Sequence, residues 1–356
     1  MSDWGKKLKL NIFGESHAEA IGVVITGLPA GEEIDISELI AFCSRRAPGG
    51  SSTSTKRTEL DFPNIISGFL NGRTTGAPLC IFIENTDTLP QAYAKMNEIA
   101  RPGHADYTAY LRYNGANDVR GSGHFSGRLT APLVAAGGIA KQFLRRRGVE
   151  VGAHIYNIHG ISDTPFDSVN ITHEDLLAIQ KKPFTVLDDA VGEKMINAIK
   201  EAKRNKNSLG GTVECCAVGF PAGIGDPMFE GLENVLSSII FGIPAVKGVE
   251  FGAGFAVSSL YGSESNDDFC IIDDKICTKT NNHGGILGGI SSGMPIILRA
   301  AFKPTPSIAK KQMTVNFIKY EECEIAVTGR HDPCVVPRAV PCVEAATAFA
   351  LLSLLI

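Results

Sequence analysis

The chain has 356 residues, a formal net charge of −4, 44% hydrophobic residues and 20% charged ones. That length leaves room for one large domain or two fused halves, and the balance excludes a disordered chain or a globally basic one drawn to nucleic acid or anionic membrane. Nine cysteines without a CxxC spacing read as reduced thiols, and the lack of an apolar leader or a membrane-length apolar run makes a cytoplasmic protein the expectation.

A Val- and Ile-rich run at 21–26 predicts a strand, closed by Gly27-Leu28-Pro29-Ala30-Gly31 and followed by a helix over 36–46 that ends in Arg45-Arg46. The Gly, Ser and Thr stretch after Pro48 lies between those arginines and Lys56-Arg57; a solvated loop and a segment that orders over an anion are equal readings of 48–57. Strands at 64–70 and 78–84 flank Asn71-Gly72, an antiparallel signal, and an irregular stretch follows at 87–97. A glycine-rich turn from Arg120 to Arg128 opens a helix over 129–147, with Arg145-Arg146-Arg147 in its last turn and Gly148 as its stop.

In the second half, a helix over 189–204 follows Asp188, a strand spans 212–218, and a helix covers 229–240. Strands at 249–257 and 295–302 and a helix over 339–355 complete the series. Short turns between neighbouring strands favour antiparallel pairing, so the class is α+β. The strand-turn-helix unit after Val24 is echoed at Ala217-Val218-Gly219-Phe220-Pro221-Ala222-Gly223. Duplication of a strand-turn-helix unit and a shared turn chemistry explain this equally well. The stretch near 205–211 is too short for a mobile linker, so 1–356 reads as a single domain whose pseudo-repeated halves, about 1–205 and 206–356, share one core.

Three histidines lie in loops that cannot build core: Gly14-Glu15-Ser16-His17, Arg101-Pro102-Gly103-His104-Ala105-Asp106 and Gly329-Arg330-His331-Asp332-Pro333. His17 and His104, each within two residues of a carboxylate, are the leading acid or base candidates, whereas His154, His159 and His173 sit in strand-like or capping contexts and read as structural. The turn at 120–128 offers helix-start amides and arginines to an anion, but G-x-G-x-x-x-G is not a dinucleotide fingerprint. Gly284 to Gly293 reads equally as a close-packed turn, and Lys303-Pro304-Thr305-Pro306-Ser307 as a strand-ending proline turn or a clamp for a phosphate or flavin edge.

Taken together and in order, these motifs resemble the chorismate synthase family over nearly the whole chain. The resemblance rests on Phe13-Gly14-Glu15-Ser16-His17, the Arg101 to Asp106 loop, Ala245-Val246-Lys247-Gly248-Val249-Glu250, the Asn282 to Gly293 run, Lys303 to Ser307, and Gly329 to Cys334. It implies a β-α-β sandwich with antiparallel sheets, assembled as a homotetramer. The implied reaction is 1,4-anti elimination of phosphate from 5-enolpyruvylshikimate 3-phosphate to chorismate, a carbon–oxygen lyase step in the shikimate pathway of aromatic amino acid biosynthesis. The family requires reduced FMN, because the ring C–H to be broken is not acidified by a carbonyl and electron donation helps expel phosphate. No domain for flavin reduction is evident, so NADPH would act only through a separate flavin reductase.

Carried onto this sequence, the resemblance assigns catalysis to His17, which would give a proton to the departing phosphate, and to His104, which would protonate or hold charge on the flavin. Asp332 would assist deprotonation nearby. Substrate anions fall to Arg45, Arg46, Arg101 and Arg128, and the cofactor to Arg46, His124, Phe125, Ser126, Ala245, Gly288, Lys303, Pro304, Thr305, Pro306, Ser307 and Arg330. The chain departs from common family usage at His124-Phe125, at Pro244 and at Ser52, which puts local affinities for FMN and substrate in question. Two rivals remain: a flavin or phosphometabolite binding protein without elimination activity, which has no need of both histidines, and a metal-dependent phosphohydrolase using His17, His104 and Asp332 as ligands.

Overall fold

The computed structural model describes residues 2–49, 59–87, 97–327, 329 and 331–356. Its first sheet is built from β1 (Asp3–Gly5), β2 (Lys9–Gly14), β3 (Ala20–Thr26), β4 (Asn64–Ser67) and β7 (Leu79–Glu84), with the small hairpin β5 (Phe69–Leu70) and β6 (Arg73–Thr74) inserted before β7. Helix α1 (Ile36–Arg46) leaves β3, and α2 (Asp106–Tyr113) and α3 (Thr130–Arg145) follow β7. The chain continues through β8 (Glu150–Ile158), β9 (Ile161–Ser162), α4 (His173–Gln180), α5 (Asp189–Arg204), β10 (Gly211–Val218), α6 (Leu232–Ile240) and β11 (Val246–Phe251). After α7 (Gly262–Ser265) come the hairpins β12 (Phe269–Ile272) with β13 (Lys275–Thr278) and β14 (Ile286–Leu287) with β15 (Ile290–Ser291). Strand β16 (Ile296–Phe302), the hairpin β17 (Gln312–Asn316) with β18 (Glu321–Ile325), and α8 (Val336–Leu355) close the series.

Two five-stranded antiparallel sheets, ordered β1-β2-β3-β7-β4 and β11-β16-β10-β8-β9, enclose a helical layer. Helix α3 packs on β2, β3 and β7 on one side and on β8 on the other, while α8 packs on β8 and β10 and against α1, α3 and α6. The two helices meet closely because Gly137 lies against Ala345, where a Cβ would strike that residue's backbone. Helix α8 is long and apolar enough to cross a membrane by composition, but its residues are almost all buried in this core. Consecutive side chains of β10 go to opposite faces: Cys215 approaches Thr347 of α8 at 3.6 Å, and Cys216 joins Phe166, Leu176 and Ile297 on the outer side. Burial pushes the Cys215 thiol up to about 12, and all nine cysteines are free.

Predicted elements recur with informative differences. Helices over 36–46 and 189–204 have the expected bounds because Asp35 and Asp188 accept from the first-turn amides. The run predicted as a strand over 249–257 stops at Phe251, where Gly252 and Gly254 take φ of +55° and +57° and 254–259 forms a 3₁₀ turn. Asn71-Gly72 does turn the chain, but it closes β5 and β6 rather than joining the main strands, and β4 pairs β7 across that insertion. The echoed turns match in conformation: Gly27 and Gly219 both leave the third strand of a five-stranded sheet with positive φ, and α1 and α6 follow. Of the loop at 48–57, read equally as solvated or as ordering over an anion, residues 50–57 lie outside the described residues, as do 88–96 of the irregular stretch at 87–97.

Candidate active site

A cavity of about 660 Å³ opens where connections from both sheets converge, and His17, His104 and Asp332 all line it. His17 comes from the β2–β3 connection, which follows Gly14, the last residue of β2, held at φ of +91° with no room for a Cβ. Its imidazole packs against Gly121, at φ +59°, where any side chain would collide with the ring. Hydrogen bonds from Arg120 hold the neighbouring Asp118 carboxyl below the usual carboxylate range, with a smaller contribution from His17.

Arg101 fixes the second histidine loop. Its guanidinium grips Asp106, the first residue of α2, through Nε at 2.8 Å and NH2 at 2.7 Å, and NH2 also donates to Ser122 Oγ at 2.9 Å. His104 Nε2 meets Ser307 Oγ at 2.6 Å. Burial pushes the His104 imidazole down to about 3; Arg101, Lys303 and His331 add to that shift and Asp106 opposes it, so the ring is neutral near pH 7. Lys303 Nζ donates to the Gly103 carbonyl and ties the 303–307 segment to this loop, and burial followed by Lys247 lowers its own pKa. Its backbone N–H donates at 3.0 Å to Ala245, held at φ +77°, so the 241–246 segment forms the adjoining wall.

Arg46 and Arg128 line the cavity but are also anchored from behind. Asp61 accepts from Arg46 Nε at 2.6 Å and NH2 at 2.5 Å and also binds Arg128 NH1, while Arg128 reaches Glu59 at 2.5 Å and Asn85 at 2.9 Å. Burial works against the charge of both. Asp61 nonetheless holds Arg46 above the ordinary guanidinium value, whereas Arg128 ends below it. Asp332 accepts from Arg338 NH1 at 2.6 Å. His331 also lines the wall, its pKa lowered by burial and then by Arg101.

The structure therefore gathers Arg46, Arg101, Arg128, His124, Phe125, Ser126, Ala245, Lys303, Thr305, Pro306 and Ser307 with the two histidines and Asp332. Three expected residues stand elsewhere. Arg45 lies off the wall, because its guanidinium is drawn inward to Glu344 at 2.8 Å. Gly288 forms the exposed turn of the β14–β15 hairpin, and Pro304, between Lys303 and Thr305, is not part of the lining. Arg330 lies outside the described residues, as does Ser52. His124 uses both ring nitrogens on the chain itself: Nδ1–H donates to the Gly14 carbonyl at 2.7 Å and Nε2 accepts from Ser2 Oγ–H. Sequence reading missed Glu59, Asp61 and Arg338; for the two carboxylates the usable signal was that buried arginines require such partners, and for Arg338 there was none.

Among the described residues, no group of three or more His, Cys, Asp or Glu side chains is placed to hold a metal ion; His17, His104 and Asp332 share the cavity without forming such a group. Thr305 Oγ1 and His331 Nε2 are buried on the wall with no hydrogen-bond partner among the described residues. Orphaned polar atoms beside Lys303, Pro306 and the 241–246 backbone suit a large ligand with polar edges such as a flavin.

A β-α-β sandwich whose loops collect imidazole, guanidinium and carboxylate groups around one cavity defines an enzyme of anionic small molecules. The sequence profile described as chorismate synthase matches residues 8–356. Chorismate synthases of Thermococcus gammatolerans and Pyrococcus abyssi are 46% and 48% identical over 347 residues, covering 98% of this chain and 95% of each relative. A crystal structure of chorismate synthase superposes with a TM-score of 0.76 at 26% identity, over 99% of this chain and 92% of that one. The chain belongs to the chorismate synthase family, a family of lyases.

Proposed function

We propose that this protein converts 5-enolpyruvylshikimate 3-phosphate to chorismate by 1,4-anti elimination, with reduced FMN in the cavity and chorismate passing to aromatic amino acid biosynthesis. The observation that carries the reading is the convergence of His17 and His104 on one cavity with Arg46, Arg101 and Arg128. Arg46, His124, Phe125, Ser126, Ala245, Lys303, Thr305, Pro306 and Ser307 are the wall residues that would hold the cofactor. Bound reduced FMN supplies electron density that helps the phosphate leave a ring lacking an acidifying carbonyl.

The chain's own groups perform the rest. His17, beside Asp118, holds a proton for the departing phosphate oxygen. His104, neutral and bonded through Nε2 to Ser307, takes up a proton only when negative charge arrives beside it. Asp332 accepts a proton at its carboxylate during ring deprotonation. Guanidinium groups already fixed by Asp61, Glu59 and Asp106 meet the substrate's phosphate and carboxylates without further ordering, which favours a single bound orientation. Both sheets use one helical layer, which supports a single domain over 1–356 rather than two separable halves. Exposed Phe229, Phe255, Phe269, Ile271 and Ile276 support assembly into a homotetramer, and reduced flavin is supplied in the cytoplasm by a separate reductase.

His17→Ala tests the assignment. Turnover should fall about 10²- to 10⁴-fold while FMN binding persists. A variant that turns over normally would remove His17 from the chemistry.

A further inference from the structure

Arg338 is a cavity-lining cation that belongs to none of the histidine loops or basic clusters singled out in the sequence. It lies in the first turn of α8, and its guanidinium joins two acceptors from different parts of the fold. NH1 donates to Asp332 Oδ2 at 2.6 Å, and Nε donates to the Arg46 carbonyl at 2.9 Å. Arg46 is the last residue of α1, so that carbonyl stands at a helix C-terminus, where partial negative charge favours a cation. The ion pair is largely enclosed, with side-chain exposures of 21% and 12%. With Nε–H seated on the helix carbonyl, the planar guanidinium aims NH1 at one carboxylate oxygen, so this directed bond sets where Asp332 Oδ2 sits.

We propose that Arg338 is a positioning residue for the elimination: braced on the end of α1, it holds the Asp332 carboxylate at the cavity wall in its working orientation. This deepens the role given to Asp332 above and rests on that reading. Arg46 completes the brace, because its carbonyl seats Arg338 while its side chain is fixed by Asp61. Lysine would keep the charge but not the fork, since a single ammonium cannot reproduce two directed bonds at fixed angles.

The test compares wild type, Arg338→Met, Arg338→Lys, Asp332→Asn and the Arg338→Met/Asp332→Asn double variant, with oxidised-FMN binding and flavin-free thermal midpoints measured alongside. In Arg338→Met, kcat should fall about 10- to 100-fold with KM for the enolpyruvyl substrate little changed. Added methylguanidinium should restore part of that loss, Arg338→Lys should fall between the two, and the double variant should be no slower than Asp332→Asn alone. Unchanged kcat in Arg338→Met, or losses that multiply in the double variant, would overturn the proposal. So would a loss of kcat matched by lost flavin binding and a lowered thermal midpoint, with no response to methylguanidinium. Failure of the underlying reading looks different: wild type would release neither product, or Asp332→Asn would turn over like wild type.

Discussion

A neutral His104 is the residue-scale feature with the clearest consequence. Burial, Arg101, Lys303 and His331 all disfavour its protonated form, and at about 3 its folded pKa lies below the ordinary value of 6.5. For a depressed imidazole, the unfolded chain takes up a proton first as pH falls, so stability is intact above about 6.5 and is lost progressively down to about 3. Urea unfolding at pH 7 and pH 5 should show a drop for wild type that His104→Gln reduces, and an equal drop in both would place the ring in water. Anionic substrate should raise the same pKa, because negative charge favours the imidazolium. The loop chemistry around this residue was legible in the sequence, since glycine and proline beside a histidine leave nothing else for it to do. The direction of its shift was not legible, because Lys303 and His331 reach it from positions about 200 residues away.

At the scale of elements, the sandwich depends on α3 and α8 approaching more closely than ordinary side chains allow. Gly137→Ala should therefore cost about 1–3 kcal/mol in urea unfolding, despite the better helix propensity of alanine. A neutral or stabilising result would mean the two helices have room to part. Helix α5 was readable to the residue because Asp188 marks its start, and strands β3, β7, β10 and β16 because apolar residues dominate each of them, although α4, capped by Thr172 and Asp175, was not found. Strand β8 was legible only as a strand-like context around His154, which interrupts its apolar pattern, and its bounds were not read. That histidine is fully buried between Asp163 at 3.2 Å and Glu214 at 2.9 Å, which raises its pKa against the effect of burial. Hairpins β12–β13 and β17–β18 carry apolar residues that stay exposed among the described residues.

Across the whole molecule, the layered arrangement brings the β2–β3 turn, the start of α2, the entry to α3, the end of β16 and the entry to α8 to one place. Sequence reading found the histidine, glycine and proline segments among these, but not the carboxylates that anchor them. Glu59 and Asp61 follow a polar loop and carry no periodic signature, yet in the fold Asp61 joins two arginines and Glu59 seats one of them. The same long-range pairing drew Arg45 away from the cavity, a displacement that composition alone cannot show. The most direct measurement is anaerobic incubation of the protein with 5-enolpyruvylshikimate 3-phosphate and dithionite-reduced FMN, following chorismate absorbance and phosphate together. Equal amounts of both products should appear with reduced flavin and neither with oxidised flavin; reduced flavin that binds and yields neither product would contradict the assignment.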